Sequence, residues 1–543
     1  MSAAPGAAAS ALRRGALSLL LPALLIALPI ALRVPAPAAP AGAARLVILT
    51  PNNETIRGEF ARGFSAWAQR ELGRQVEIDW RTPGGTNDIV KAIEAQFSAR
   101  FANDHADLPA AARAAFNDPK AGTDPQRDEA ERAARRAFLA SDAGIGVDLF
   151  WGGGEYDFRQ CANKGYLVDA GLAKALPEVL REEVIPQTLA GETIYDPQGR
   201  YYGTALSSFG LCANPDRLAL LADPTPPNSW EDLGAARFLG AGAMADPTRS
   251  GSVNTCFVMM VQQQMAKAAG ADGQKDPARL DTGWAAGFTV IKRIGANARY
   301  VTDSAARVVR DVGRGDAAVG MCIDFYGRAE REWTREESGR DRLIYAGAVG
   351  GTSLSADPIG LLRGAPQGEL ARAFMRYVLT AEAQRLWLYR VGEPGGPVRY
   401  ALHRLSVRRD LYTPEHTAHF ADPGEDPFAL AQGFSLHSEW TGPNFELIRL
   451  TIKALVLDPR PELVAAWRAI VAAGGPERCP EAMAELAWMP YAFRDAAAAR
   501  AMLVGDRIAT LRRWSVEAIA HYAAAQRLAG QGPATTAAGT APR

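Results

Sequence analysis

The strongest constraint on the fold is a rhythm near the start of the chain. Short apolar runs end in polar, glycine-rich segments, and each is followed by a stretch with helical spacing. Leu46-Val47-Ile48-Leu49 is a buried-strand run closed by Pro51. Residues 55–72 then place Ile56, Phe60, Phe64, Trp67 and Leu72 at helical intervals. Val76 to Trp80 alternates as a strand, and residues 86–101 read as a second helix with Thr86 as N-cap. Val147 to Trp151 is a third strand, running into Gly152-Gly153-Gly154. A β-α-β-α order requires parallel strands joined by helices that cover both faces of the sheet. The expected class is α/β, with parallel-rich sheets flanked by helices.

The same rhythm resumes further on, in apolar runs at 201–206, 243–246, 317–323, 343–346 and 357–362, followed by an amphipathic helix expected over 369–391. Residues 103–142 interrupt it; rich in Ala, Arg and Asp, they read as an inserted, solvated helical hairpin. Residues 404–530 are mostly helical, with breaks at Pro414, Pro423, Pro459 and Pro476, and Leu447, Leu450, Ile452, Leu455 and Leu457 read as core. The tail over 531–543 is low in complexity and expected to be disordered. A chain of 543 residues has length for about two to four domains.

The first 44 residues carry Arg13 and Arg14, an apolar stretch over 15–32 interrupted by Pro22 and Pro29, and Ala41-Gly42-Ala43 as a cleavage pattern. Two readings stand: a cleaved export signal, or a retained N-terminal anchor. Either makes the remainder an exported chain, tethered to the membrane in the second case.

Lys and Arg number 60 and Asp and Glu number 60, so net charge offers no reason to expect nucleic acid as a partner. The 5 cysteines lack a CxxC pair, which argues against a zinc site or a disulfide framework. GxxxxGK[ST], GxSxG and HExxH are absent, and the Gly152 patch lacks dinucleotide spacing. His416 and His419 read as a solvated surface pair. No cofactor and no metal are expected.

The informative residues lie where strands end. In open parallel sheets, ligands sit beyond the carboxyl ends of the strands. Asn52 and Asn53 follow the first strand, Gly84, Gly85 and Thr86 the second, and Gly153 with Glu155 the third. Arg249, Ser250, Gly251 and Ser252 follow a strand of the second region and open a helix. A small hydroxyl, a glycine and free backbone N–H groups at a helix start suit a phosphate, phosphonate or carboxylate, and Arg249 can add a bidentate contact. Plain N-capping by Ser250 or Ser252, with no ligand, explains the same residues equally well.

In order and spacing these segments resemble the extracellular solute-binding proteins of bacterial ABC importers, of the type II periplasmic class, and within it the group for ferric iron, thiamine and aminoethylphosphonate. The resemblance rests on LVILTPNN (46–53), VEIDWRTPGGTNDIVKAI (76–93), GVDLFWGGGEYDFRQCANKGYLVD (146–169), GRYYGTALSSFGLCANPD (199–216), DPTRSGSV (246–253), GDAAVGMCIDFYGR (315–328) and the return strand and helix over 356–387.

It implies two lobes. The first spans 45–205 and the second 206–345; the chain returns to the first over 346–403, and residues 404–530 pack on that first lobe. Crossings are expected near 204–214 and 346–358, with hinge closure on a small solute in the cleft. It also implies a permease in the membrane as partner, a monomeric receptor and no catalysis. Ser207 and Ser208 on the first crossing, and Asp324 and Tyr326 on the second-lobe strand, join the expected ligand contacts. Ferric binders of the group carry paired tyrosines where this chain has Phe325-Tyr326. An organic anion is therefore the expected solute, its phosphonate or phosphate on Ser250-Gly251-Ser252 and an amine facing Asp324. Ferric iron, with Asp324, Tyr326 and Glu155 as oxygen donors, is the alternative. An enzyme using Cys322, or a sensor subunit signalling through 404–530, are the readings from other classes.

Overall fold

The computed structural model describes residues 42–348 and 350–531. The leader expected over 1–44 and the tail expected over 531–543 lie almost wholly outside them.

Strand β1 (Ala44–Leu49) leads into helix α1 (Glu54–Leu72), strand β2 (Val76–Arg81) and helix α2 (Thr86–Asp104). Helix α3 (Glu129–Ala140) precedes strand β3 (Leu149–Trp151), helix α4 (Glu155–Lys164) and the short β4 (Leu167–Val168). β1 pairs in parallel with β2 on one side and with β3 on the other. From Leu46 to Leu49 β1 is apolar because both faces are covered: Leu46 and Ile48 pack with Phe60 and Phe64 of α1, whereas Val47 and Leu49 pack with Ile89, Ile93 and Phe97 of α2. Buried Asp148 fastens the sheet to a later segment, accepting from the backbone N–H of Val47 at 2.8 Å and of Gln367 at 2.6 Å.

Strand β5 (Tyr201–Ser207) ends the first lobe's sheet and β6 (Phe209–Ala213) begins the second's, so the chain crosses at Ser208. The second sheet is completed by β7 (Gly242–Ala245), helices α5 (Gly251–Ala269) and α6 (Pro277–Asn297), β8 (Ala298–Thr302), helix α7 (Ala305–Arg314), β9 (Val319–Ile323), helix α8 (Asp324–Ser338) and β10 (Ile344–Gly347). Its order is β8-β7-β9-β6-β10, parallel around β7 and antiparallel around β6. The chain then returns: β11 (Ser355–Leu362) pairs antiparallel with β3, β4 and β5. The chain thus passes between the sheets at Ser208 and again between Gly347 and Ser355.

The helix expected over 369–391 is two helices, α9 (Gly368–Val378) and α10 (Ala381–Leu388). Thr380 separates them: its Oγ1 donates to Tyr377 O at 2.7 Å and accepts from Ala383 N–H at 3.1 Å, ending one helix and capping the next.

Two expectations need correction. The 103–142 insertion is not merely solvated. Phe116, Ala134 and Phe138 join the α2 core, and the Arg135 guanidinium is buried, donating to Phe116 O, Asn163 O and Lys164 O. Nor does 404–530 lie on the first lobe as a unit. Leu405, Val407, Leu411 and Phe420 do belong to that lobe's core, but Trp440, Phe445, Leu455, Trp467, Trp514 and Tyr522 belong to the second. The cause is α6, whose Trp284, Phe288 and Ile291 the later helices cover. Trp467 Nε1 donates to Asn297 Oδ1 at the end of α6 at 2.8 Å, and the Lys292 ammonium donates to Leu486 O and Trp488 O. Leu447, Leu450, Ile452 and Leu455 are core as expected, with Leu457 half-buried. No helix among the described residues is long and apolar enough to cross a membrane.

Candidate functional site

Between the lobes lies a cleft of about 400 Å³. Its first-lobe wall is made where the parallel strands β1, β2 and β3 end. Asn53 caps α1, its Oδ1 accepting from Ile56 N–H at 3.1 Å. Gly85 caps α2, its N–H donating to Asp88 Oδ2 at 3.3 Å. Gly154 caps α4. The triple glycine exists to let these loops touch. Gly153 has a φ of 111°, and a Cβ there would lie 2.5 Å from Thr86 Cγ2.

The second-lobe wall repeats the device. Asp246-Pro-Thr-Arg-Ser leaves β7 in a tight turn, with Asp246 Oδ1 accepting from both the N–H and Oγ1 of Thr248 at 2.7 Å. Ser250 then caps α5, accepting from Val253 N–H at 3.3 Å. Ser304 precedes α7 and makes no side-chain cap bond; Ile323 precedes α8. All six N-cap residues, Asn53, Gly85, Gly154, Ser250, Ser304 and Ile323, border the cleft. Each helix start carries roughly half a positive elementary charge and unsatisfied N–H groups. Arg249 stands exposed at the rim with no side-chain partner among the described residues.

The floor comes from the crossing strands and from a residue sequence reading missed. Ser207 ends β5, and Ser355 and Asp357 begin β11. Arg404 joins them because Leu206 N–H donates to Leu405 O at 2.8 Å, laying the 404–405 segment beside β5. Its Nη2 donates to Ser207 Oγ at 2.7 Å and to Asp357 Oδ2 at 2.5 Å. Its guanidinium stacks 4.2 Å from the Phe325 ring centroid. Burial pushes the Asp357 carboxyl up and Arg404 draws it back.

The structure brings most of the expected residues to this cleft: Asn52, Asn53, Gly85, Thr86, Gly153, Ser207, Arg249, Ser250, Ser252 and Tyr326 line it. Five do not. Gly84, at φ 153°, makes room for the Asp88 cap, since a Cβ there would lie 2.4 Å from Asp88 Oδ2. Gly251 faces Asp157 of the first lobe, 3.0 Å from where its Cβ would sit. Ser208 is engaged by the Tyr345 hydroxyl at 3.2 Å. Glu155 turns inward, accepting from Tyr201 Oη at 2.6 Å, and burial pushes its carboxyl up. Asp324 is fully buried and accepts from Arg328 Nη2 at 2.8 Å, so it faces neither an amine nor a metal in the cleft. Of the ferric donor set, only Tyr326 reaches the cleft. Cys322 is buried within β9, and burial pushes its thiol far up, away from nucleophilic character.

Ser304 carries the same signal as the other strand ends, since Thr302-Asp303-Ser304 closes a strand and opens a helix, but β8 is too exposed to read as a strand from its sequence. Arg404 had no local signal.

Comparison with known proteins places these observations. Residues 73–401 match the model of the bacterial extracellular solute-binding protein family. An uncharacterized protein of Haemophilus influenzae is 25% identical over 236 residues, 44% of this chain and 59% of that one. The phosphoglycerate transport regulatory protein PgtC of Salmonella typhimurium is 22% identical over 205 residues, 38% of this chain and 43% of that one. The chain thus spans about half the length of the curated relatives it matches. Among solved structures, the periplasmic binding protein AfuA of Actinobacillus pleuropneumoniae, with fructose-6-phosphate bound, has a TM-score of 0.47 at 17% identity, covering 78% of this chain and 97% of that one. Iron-bound HitA of Pseudomonas aeruginosa has a TM-score of 0.45 at 14% identity, covering 75% and 98%. With more than half of its length under the family model, and a cleft walled by strand ends and helix starts, this chain belongs to the bacterial extracellular solute-binding proteins.

Proposed function

We propose that this chain is the periplasmic receptor of an ABC importer and captures a small organic phosphate or phosphonate between its lobes. The observation that carries the reading is the convergence of six helix N-termini on one cleft, with the unpaired Arg249 guanidinium at its rim. Such a site holds an anion through backbone N–H groups and fixed dipoles, and performs no chemistry on it. The name of PgtC, with phosphoglycerate as the transported species, points to the same chemistry. A permease partner and a monomeric receptor belong to this reading. Ferric iron is the weaker solute. Among the residues lining the cleft, Tyr326 is the only phenol, and Asp88 and Asp357 are engaged by Gly85 and Arg404.

Closure of the lobes around the solute would present the loaded form to the permease, a population shift driven by contacts made only in the closed state. The word "regulatory" in the name of PgtC favours one second reading, a sensor that reports the same solute.

The test is calorimetry on the purified chain with inorganic phosphate, 2-aminoethylphosphonate, 3-phosphoglycerate and ferric citrate. A phosphorylated or phosphonate solute should bind, and Arg249→Ala should weaken it on the order of tenfold. Binding of ferric citrate alone, with a red-brown charge-transfer band, would overturn the reading.

A further inference from the structure

The helix starts account for the two walls of the cleft. The floor is built differently, and the difference bears on what the rest of the solute must be. Arg404 lies beyond residue 401, where the family match ends, yet its side chain is only 3% exposed and lines the cleft. It is locked to Asp357 and Ser207 through one nitrogen, and its plane is held against Phe325 and Trp387, with ring centroids 4.2 and 5.5 Å away. Its Nε is buried with no acceptor.

An arginine paired with an aspartate does not attract a second anion, because the pair is neutral as a unit. It does offer fixed donors and a fixed acceptor side by side, which is the pattern that recognises hydroxyl groups. The neighbours fit that role: Ser207, Ser355, Tyr326 and Asn52 are uncharged hydrogen-bonding groups, and Phe325 supplies an apolar face. No carboxylate at this end is left over for an amine. Asp324 is tied to Arg328, Asp357 to Arg404, and Asp303 sits exposed at the rim beside the α7 start. A cleft of about 400 Å³ also holds far more than a phosphate ion.

We infer that the Arg404–Asp357 end takes the hydroxylated carbon part of a phosphate monoester, so that the solute is a phosphorylated polyol or sugar and Arg404 is a specificity-determining residue. This rests on the reading of the helix starts on the walls as a phosphate site.

The experiment is titration calorimetry of the full chain with glycerol 3-phosphate, fructose 6-phosphate, glucose 6-phosphate, ethyl phosphate, 2-aminoethylphosphonate and inorganic phosphate. At least one of the three hydroxylated esters should bind on the order of 100-fold more tightly than ethyl phosphate, which carries the same anion without hydroxyls. In Arg404→Met/Asp357→Asn, which removes both charges together, that preference should collapse while affinity for inorganic phosphate is kept. Ser207→Ala, which leaves the ion pair in place, should reduce the preference in part and guards against a misfolded double variant. Ethyl phosphate or 2-aminoethylphosphonate binding as tightly as every hydroxylated ester would overturn the inference and leave the phosphate receptor standing. Failure of all six, and of 3-phosphoglycerate, to bind would overturn the receptor reading itself.

Discussion

His403 Nε2 lies 2.7 Å from Glu332 Oε2, joining the segment that returns across the first lobe to helix α8 of the second. Its Nδ1 lies 2.8 Å from Asp422 Oδ2, so carboxylates face both ring nitrogens and the ring is held as an imidazolium that donates twice. Arg328 extends the cluster, donating to His403 O and pairing with Asp324, Asp422 and Glu425. Charges of both signs thus bridge the lobes away from the cleft, where closure would have to bend or carry them.

Burial disfavours the charge on His403, but the two carboxylates outweigh it and raise its pKa to about 9. The folded state therefore holds a proton that the unfolded chain releases near 6.5. The stabilisation is fully present below about pH 6.5 and is lost as pH rises through 9; it amounts to about 3 kcal/mol. Thermal melts between pH 6 and 10 should show the loss. His403→Gln should flatten the profile, and an unchanged slope in that variant would remove the imidazolium from the account.

Glu192 shifts stability in the same direction but from the opposite cause, burial of its charge rather than pairing. Burial raises its carboxyl to about 7, against the pull of the Ser353 hydroxyl, which donates to it at 2.6 Å. Between pH 4.5 and 7 the folded state binds the extra proton, so stability falls as pH rises through that window. Glu192→Gln keeps an acceptor for Ser353 and removes the charge. It should gain up to about 3 kcal/mol at pH 8 and nothing at pH 4.5. Denaturant midpoints at the two pH values check this; equal shifts at both would count against a titrating Glu192.

Asp324 is expected to matter for folding and not for solute choice. Removing its charge takes the shortest partner from an almost fully enclosed Arg328 and leaves it the longer pairs to Asp422 and Glu425, so the cost should approach but not exceed the roughly 3–5 kcal/mol of a broken buried pair. Asp324→Asn should lower the unfolding free energy, read from denaturant melts, by up to that amount, while the folded fraction retains its solute affinity. A selective loss of affinity with stability intact would return Asp324 to the cleft.

What was legible in the sequence was local periodicity. β1 reads correctly because four consecutive apolar residues leave no face for water, and the strand-end segments stand out because polar and glycine residues there interrupt apolar runs. Placement between distant segments was not legible. Asp324 and Tyr326 are two residues apart, yet one is buried against Arg328 and the other lines the cleft, because both lie in the first turn of α8, where a spacing of two turns side chains to opposite sides of the helix. Arg404 enters the site through one bridge between Leu206 and Leu405, a long-range pairing with no local pattern. The amphipathic helices after residue 436 announce that they need a partner, but only the uncovered face of α6 decides that the partner is the second lobe.

That last point gives a prediction about the extension. Trp467 is fully buried, bonded to Asn297 and covered by the Arg293 guanidinium 5.2 Å from its ring, all within the second lobe's core. Phe60 is equally buried in the first lobe, against Trp151 at 5.0 Å and Trp387 at 4.4 Å. Each truncation to alanine should cost about 3–5 kcal/mol. If the extension is part of the second lobe, Trp467→Ala should reduce hydrogen-exchange protection in β7, β9 and α6 and leave β1 and β3 protected, while Phe60→Ala does the reverse. Loss of protection in the first lobe on Trp467→Ala would mean that the two cores unfold as one, and that the helices after 436 fasten the lobes together rather than complete one of them.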